Sequence, residues 1–188
     1  MTPDTLRAIM GCGAGLAAKW ADPITAAMEE YAIDTPARQA AFLAQIGHES
    51  DRLVHVRELW GPTPAQLRYS LRADLGNTRP EAIVFARQAG MDVGRFYAGH
   101  GLIQVTGYTN HARAASRLGI DCAAHPEMLC EPINAARSAG DYWQDRGLNA
   151  LADQGRFDDI TRRINGGLNG LADRCVLWDA AKRALGVP

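Results

Sequence analysis

Residues 41–50 read AFLAQIGHES, an apolar run that ends beside a carboxylate. We expect a helix that begins near Thr35 and continues through this run. Such a helix would place Phe42, Ile46 and Glu49 on one stripe, at the i, i+4 and i+7 spacing of a core-facing side. Burial disfavours the charged form of a carboxyl group, so we expect Glu49 to stay protonated near neutral pH and to serve as a general acid.

A second glutamate, Glu58, follows in the polar segment HVRELWGPT at residues 55–63. Its surroundings favour an ionised carboxylate. One acid in an apolar site and another in a wet site is the arrangement that divides acid and base roles in glycoside hydrolysis. Solvated surface glutamates are also common, so the pair alone leaves both interpretations open.

The composition is typical of a soluble globular protein with one domain, or one domain with two lobes, and does not indicate a nucleic-acid partner. The 188 residues are enough for a single domain over 1–188, and the net charge of −1 has no basic block that would indicate a nucleic-acid partner. The spacing of Cys122, His125 and Cys130 resembles half of a zinc site, but it is irregular and the sequence has no second pair of ligands to complete the site. We therefore expect no metal and no cofactor.

The N-terminal stretch MTPDTLRAIMGCGAGLAAKWADP has no basic start followed by a clean apolar segment. We read neither a signal peptide nor a membrane span in it. The chain is expected to be made in a cytoplasm, and its four cysteines are expected to be free thiols.

Helix signals recur along the chain. A capping residue precedes a proline at 22–23, 35–36 and 63–64, and Thr63 forms a capping box with Gln66. Amphipathic stretches predict helices at about 23–33, 36–49, 64–73, 80–90, 107–118, 131–146, 156–164 and 169–185. Only GLIQVTG at 101–107 could form a short strand. The prediction is a mainly α fold.

Two glycine-dense regions carry polar side chains suited to a ligand. Gln104 and Thr106 follow the glycines of residues 91–107, where backbone can approach a ligand closely or can simply pack tightly. Asn165 and Asn169 flank paired glycines in RRINGGLNGLADR. Their amides could form turns, or could donate to and accept from sugar hydroxyls and acetamido groups.

Taken together, HES with the following Glu58, YAGHGLIQVTGYTNH at 97–111 and ITRRINGGLNGLADR at 160–174 resemble glycoside hydrolase family 19. The resemblance is to the chitinase-like branch found as bacteriophage and prophage endolysins. It runs in order from about Gln39 to Leu185. It implies a mainly α, lysozyme-like, two-lobed fold with a central cleft.

The resemblance also implies the roles of individual residues. Glu49 matches the proton donor, Glu58 the base, and the Thr106 hydroxyl would help Glu58 to hold a water. Arg174 matches an arginine that bonds the second acid. The implied substrate-binding residues are Gln104, Asn110, Asn165 and Arg174. We also expect His48 and Tyr97 to bind substrate. His48 could instead tune the surroundings of Glu49, or be a satisfied histidine of the cleft or core.

The departures from the family pattern bear on the substrate. His100 replaces the arginine of the central motif, Thr109 replaces a frequent aromatic residue, and His111 replaces the usual tyrosine. The segment between Glu58 and Tyr97 is also short compared with plant chitinases. These differences favour a peptidoglycan-cleaving enzyme over one that acts on crystalline chitin.

The expected function is therefore an endolysin that hydrolyses β-1,4 bonds of bacterial peptidoglycan with inversion, causing host cell lysis. Its partner would be the glycan strands of peptidoglycan. The protein would be a monomer in the host cytoplasm before lysis. It would reach the periplasm and cell wall when a holin opens the inner membrane. One alternative is a chitinase that acts on N-acetylglucosamine oligomers. Another is a wall-binding module without catalytic activity, and a zinc peptidase is a weaker rival because no HExxH pair is present.

Overall fold

The structure, a computed structural model, describes residues 1–187. Over these residues the helices are α1 (Pro3–Met10), α2 (Ala14–Glu30), α3 (Pro36–Glu49), α4 (Pro80–Gln88), α5 (Val93–Phe96), α6 (Tyr108–Leu118), α7 (Pro132–Asp145), α8 (Leu148–Asp153), α9 (Phe157–Asn165) and α10 (Leu171–Leu185). Short 3₁₀ helices lie at Gln66–Leu71, Ala73–Leu75 and Pro126–Cys130. The predicted mainly α fold is confirmed.

The chain forms two compact units. The first unit comprises Met1–His55 and the chain from Ala139 onward, and the second comprises Val56–Ser138. The central cleft and the single catalytic domain over 1–188 stay predictions, and Pro188 lies outside the described residues.

Helix α3 occupies the centre of the first unit. The Thr35 hydroxyl accepts a hydrogen bond from Arg38 N, and Pro36 occupies the first turn, as the sequence predicts. Every residue from 40 to 47 is buried, so the helix is surrounded rather than laid on a surface. A side chain at Gly47 would meet Met10 Sδ at 2.8 Å and Leu177 Cδ1 at 3.2 Å, so α1, α3 and α10 pack closely at this glycine.

The predicted start of the helix at 23–33 is wrong, because the helix begins at Ala14. The predicted stretch is the second half of α2, which contains Pro23 in its interior, and α1 was not predicted. Trp20, Ala21 and Ile24 are all 0% exposed, so the apolar face continues across the proline and its burial offsets the lost backbone hydrogen bond. The other predicted helices agree with α3, α4, α6, α7, α9 and α10 apart from terminal residues.

Two predictions for the second unit are corrected. The stretch 64–73 forms 3₁₀ turns rather than an α-helix, with Arg68 N donating to Ala65 O and Arg72 N to Tyr69 O. The apolar face predicted there remains in solvent, since Leu67 is 63% and Leu71 is 76% exposed. The stretch 101–107 forms no strand and makes only a single antiparallel bridge, between His100 and Val105, at its edge.

The second unit has its own small core. Ala82 and Ala86 of α4 pack with Phe96 and Tyr97. Helix α6 starts at Tyr108 with a glycine in the N-cap position, and Tyr108 N donates to the buried amide of Asn77 instead. Asn77 also donates to Tyr69 O, so one amide joins the 3₁₀ segment to the start of α6.

None of the helices in residues 1–187 combines the length and the apolar character that crossing a bilayer requires.

We predict that Gly140→Ala lowers the free energy of unfolding by about 1–3 kcal/mol, because a methyl group at this position in α7 would overlap the ring of Tyr31. Gly15→Ala, in α2 with no atom within 4 Å of the added carbon, should instead raise it by up to about 1 kcal/mol. Urea unfolding of the two variants measures the difference. Equal stability of both variants would contradict this packing.

Candidate active site

Glu49 is the last residue of α3 and is held by a cation. Its side chain is 22% exposed, and its Oε1 accepts a hydrogen bond from Arg174 Nη2 at 2.5 Å. Arg174, on α10, is only 2% exposed. A buried guanidinium therefore fixes the carboxylate. The sequence interpretation assumed that apolar side chains enclose Glu49, and this is wrong.

Buried amide and hydroxyl groups continue this contact into the core. Arg174 Nη1 donates to Gln45 Oε1 at 2.5 Å, and Gln45 Nε2 donates to Thr161 Oγ1 at 2.9 Å. Gln45 and Thr161 are both 0% exposed. We call Gln45, Glu49, Thr161 and Arg174 the Glu49 cluster.

The predicted partner of Arg174 is corrected. The sequence interpretation assigned this arginine to the second acid, Glu58, but its side chain hydrogen-bonds to Glu49 and Gln45. The reason is the pairing of α3 with α10, since Gln45 and Glu49 are one helical turn apart and present their oxygens to the same side chain.

His48 lies next to this cluster and bonds Asp173, the residue before Arg174. His48 Nδ1 is 2.7 Å from Asp173 Oδ2, and Arg52 Nη2 donates to Asp173 Oδ1 at 2.5 Å. Partial burial acts to raise the pKa of Asp173, but the hydrogen bonds from His48 and Arg52 outweigh it and lower the pKa below its usual value. The His48 side chain is 27% exposed, and its contact with substrate stays a prediction.

The chain leaves α3 through three consecutive left-handed residues. Asp51, Arg52 and Leu53 have φ values of 47°, 57° and 69°. Each such residue costs about 1–2 kcal/mol, so the turn needs anchors. Arg52 N donates to Gly47 O, Leu53 N donates to Ser50 Oγ, and the Leu53 side chain is 1% exposed.

Glu58, in the second unit, is held by three donors. Gln66 Nε2 donates to its Oε1 at 2.9 Å, Tyr69 OH donates to the same oxygen at 3.3 Å, and Gly99 N donates to Oε2 at 2.9 Å. Burial raises the pKa of Tyr69 above its usual value, and the nearby Glu58 carboxylate acts in the same direction, so the hydroxyl keeps its proton. We call Glu58, Gln66, Tyr69 and Gly99 the Glu58 cluster.

Gln66 is the residue that the sequence interpretation undervalued. Its capping box with Thr63 is confirmed, because Gln66 N donates to Thr63 Oγ1 and Thr63 N donates to Gln66 Oε1. The same Oε1 also accepts from Gly61 N, and Nε2 donates to Leu59 O as well as to Glu58. One buried amide therefore organises the whole 58–66 segment.

The central motif forms an irregular loop. Gln104 has a φ of 54°, and its Nε2 donates to Gly101 O. Gly99 lies directly beside the Gln104 side chain, where a larger residue would overlap it. Thr106 Oγ1 donates to Gln104 O, and Asn110 Nδ2 donates to Thr106 O. The roles of Gln104, Thr106 and Asn110 towards water and substrate stay predictions.

Asn165 ends α9 in an exposed position, where its Nδ2 donates to Asn169 O at 3.3 Å. The turn interpretation of these asparagines therefore describes their contact in the structure. Binding of a sugar by Asn165 stays a prediction.

No three His, Cys, Asp or Glu side chains in residues 1–187 come together in a way that could hold a metal ion. The four cysteines are free thiols. Cys122 Sγ lies 3.4 Å from His111 O, and Cys130 Sγ lies 3.1 Å from Val56 O, so these thiols have different neighbours.

A Haemophilus influenzae protein described as a glycosyl hydrolase family 19 domain-containing protein is 34% identical to the chain over 174 residues, which cover 84% of each. The chain belongs to glycosyl hydrolase family 19. An acidic endochitinase of Beta vulgaris is 29% identical over 129 residues, covering 69% of this chain and 40% of that protein. No model of a known protein family matches the chain.

A crystal structure of a mutant of chitinase C matches this family 19 chain with a TM-score of 0.76. The match covers 100% of this chain and 93% of the other, at 20% identity, and confirms the predicted fold. Family membership makes the protein a glycoside hydrolase.

One residue assigned from the family motif is not available to a ligand. Tyr97 is 0% exposed, and its hydroxyl donates to Ala123 O at 2.7 Å. Burial raises the pKa of Tyr97 well above its usual range, so the hydroxyl keeps the proton that it donates. The prediction that Tyr97 contacts substrate is wrong, because its ring packs in the core of the second unit.

The two histidines that depart from the family pattern contact each other. His100 Nδ1 and His111 Nε2 are 3.2 Å apart, and His111 Nδ1 is 2.9 Å from Gly107 O. Burial lowers the pKa of His100 to about 3, and Arg57 and the protonated form of His111 act in the same direction. Burial also lowers the pKa of His111 to about 4. The pair is therefore neutral in the folded enzyme near neutral pH.

We predict that Gln66→Glu lowers kcat about tenfold or more and moves the acid limb of the pH–rate profile to higher pH. The substitution removes the Nε2 donor and puts a second carboxylate beside Glu58. Gln154→Glu, at an exposed position, should leave kcat and the profile unchanged. A Gln66→Glu enzyme with lower kcat but an unmoved acid limb would show that Gln66 acts on the fold alone.

We predict that the buried histidine pair reduces stability in mild acid. Between pH 6.5 and about 4 the unfolded chain binds a proton that His111 does not bind in the folded protein. The free energy of unfolding therefore decreases as the pH is lowered through this range. His111→Asn retains a donor for Gly107 O but cannot titrate, and its slope should be shallower by up to about 1.4 kcal/mol per pH unit.

Urea unfolding across this pH window measures both slopes. His125→Asn is the matched control, because the His125 side chain is 61% exposed, and it should keep the slope of the wild-type enzyme. Identical slopes in all three proteins would overturn the neutral-pair assignment.

Proposed function

We propose that this glycoside hydrolase is an endolysin that cleaves β-1,4 bonds in the glycan strands of bacterial peptidoglycan with inversion. The observation that carries the proposal is the Glu49 cluster, in which a partly exposed carboxyl is held by a buried cation. Such a group can reach a substrate and still keep a fixed orientation.

In the proposed reaction, Glu49 gives its proton to the leaving glycosidic oxygen. Glu58 takes a proton from water while the water oxygen attacks the anomeric carbon. An inverting reaction of this kind requires carboxyl groups about 6.5–9.5 Å apart. Arg174 would stabilise the negative charge that Glu49 acquires as its proton leaves, and this stabilisation is of the kind that accelerates the chemical step.

The preference for peptidoglycan is supported by the departures from the family pattern. His100 and His111 form a neutral, buried pair where the family has a cationic motif residue. In the proposed setting, the protein waits in the host cytoplasm as a monomer and reaches the periplasm and wall through a holin.

Action on N-acetylglucosamine oligomers is the second candidate. It is favoured by the names of the relatives, which include an acidic endochitinase and chitinase C. The two candidates share the same chemistry and differ in substrate.

We predict that Glu49→Gln reduces the release of reducing ends from purified peptidoglycan by about a hundredfold or more, since a positioned general acid contributes that much. Glu29→Gln, at an exposed position on α2, should keep wild-type activity. Circular dichroism and thermal unfolding check that both variants are folded. Substantial turnover by Glu49→Gln would remove Glu49 from the mechanism.

Analysis of the reaction products distinguishes the two candidate substrates. Mass spectrometry of fragments from peptidoglycan and from chitohexaose compares the two candidates, and NMR of the first product gives the configuration at the new reducing end. We expect muropeptides of inverted configuration. Cleavage of chitohexaose without cleavage of peptidoglycan would refute the endolysin proposal and favour the chitinase.

A further inference from the structure

A cavity of about 390 Å³ in the second unit has no role in the chemistry described above. Its volume is in the range of sites that hold small molecules. Its apolar walls include Phe85, Met91, Phe96 and Pro126, and its polar side chains are Arg57, Gln88, His100, His125 and Glu127. We call it the Arg57 cavity.

His100 is the buried polar group of this cavity, and its protonation follows from its neighbours. Gly107 O can only accept, so His111 Nδ1 carries a proton and donates it. The neutral His111 then has a bare Nε2, which must accept from His100 Nδ1. His100 Nε2 is consequently a bare acceptor, and this buried atom has no hydrogen-bond partner among the described residues. A ligand with an N–H or O–H donor would satisfy it.

Arg57 adds a cation to the same wall. Arg57 and His100 face each other across an antiparallel bridge, so their side chains lie on the same face. Glu58, the next residue, projects to the opposite face. The Arg57 cavity therefore lies behind the segment that carries Glu58 and is separate from the carboxylate itself.

We propose that the Arg57 cavity binds a short N-acylated peptide carboxylate, with its carboxylate on Arg57, an amide N–H on His100 Nε2 and its methyl groups against the aromatic walls. Peptidoglycan supplies such a group in its stem peptide, and this identification of the source rests on the proposed function. Chitin has no counterpart.

The wall chemistry favours a peptide over a second sugar. Phe85, Met91, Phe96 and Pro126 offer apolar contact to small side chains, whereas a sugar would leave several hydroxyls without partners here. At the rim, His125 and Glu127 lie 3.4 Å apart and are more than half exposed, so Glu127 could accept from a further peptide N–H.

The test uses the dipeptide N-acetyl-D-alanyl-D-alanine as the probe and the full-length enzyme. Side-chain ¹⁵N NMR should show a shift of the His100 Nε2 resonance that saturates with the dipeptide. Arg57→Gln should weaken binding about tenfold, because it removes a charge-assisted hydrogen bond. Arg95→Gln, an exposed arginine outside the cavity, should bind as the wild-type enzyme does.

Two further experiments, with the L,L isomer and with glycan strands stripped of peptide, identify the source of the ligand and separate this inference from the proposed function. Weaker binding of the L,L isomer supports a stem peptide, and preference for the L,L isomer overturns that source. Arg57→Gln should also lower the ratio of turnover on intact peptidoglycan to turnover on strands stripped of peptide.

No His100 shift, or equal binding by Arg57→Gln, overturns the inference even if peptidoglycan is cleaved. Dipeptide binding as expected, by an enzyme that cleaves only chitohexaose, would refute the proposed function while the binding assignment stands.

Discussion

The first unit depends on one buried cation, the guanidinium of Arg174. At 2% exposure it needs compensating acceptors, and α3 supplies them from Gln45 and Glu49. Removing one partner of a fully buried pair typically costs about 3–5 kcal/mol, and removing Glu49 should cost less than this because its side chain is 22% exposed and solvent screens the pair. Asp173, the preceding residue on α10, makes a second set of contacts with His48, so the two helices are held in one register. The contacts that hold α3 against α10 therefore also fix the orientation of Glu49, the candidate acid.

The two candidate carboxylates are held by different means. Glu49 is placed by α3, α9 and α10, and the other members of its cluster all lie within these helices. Glu58 lies in an irregular segment, where the single amide of Gln66 replaces the support that a helix or sheet would give. Because that amide uses both its donors and its acceptor, a change at Gln66 disturbs the loop and the carboxylate together.

The sequence predicted local features better than tertiary contacts. Helix α3 was predicted with its bounds, because a capping threonine, a following proline and an apolar run all agree there. The partner predicted for Arg174 was wrong, since a matching family motif does not tell which acid lies opposite a side chain in this chain. Tyr97 was placed by its position in a motif, which carries no information on burial. The Thr63 capping box was visible, but a capping pattern does not reveal that the other end of the Gln66 amide reaches Glu58.

The left-handed turn at Asp51–Leu53 limits how this part of the chain can vary. Arg52 N is bonded to Gly47 O, Leu53 N is bonded to Ser50 Oγ, and the Leu53 side chain is buried, so each of these contacts depends on one particular residue. Inserting or deleting a residue between Ser50 and Arg52 would change the spacing of both hydrogen bonds at once. Relatives that differ in length should therefore carry their insertions and deletions beyond this point, and a designer who exchanges loops between such enzymes should make the junction after His55.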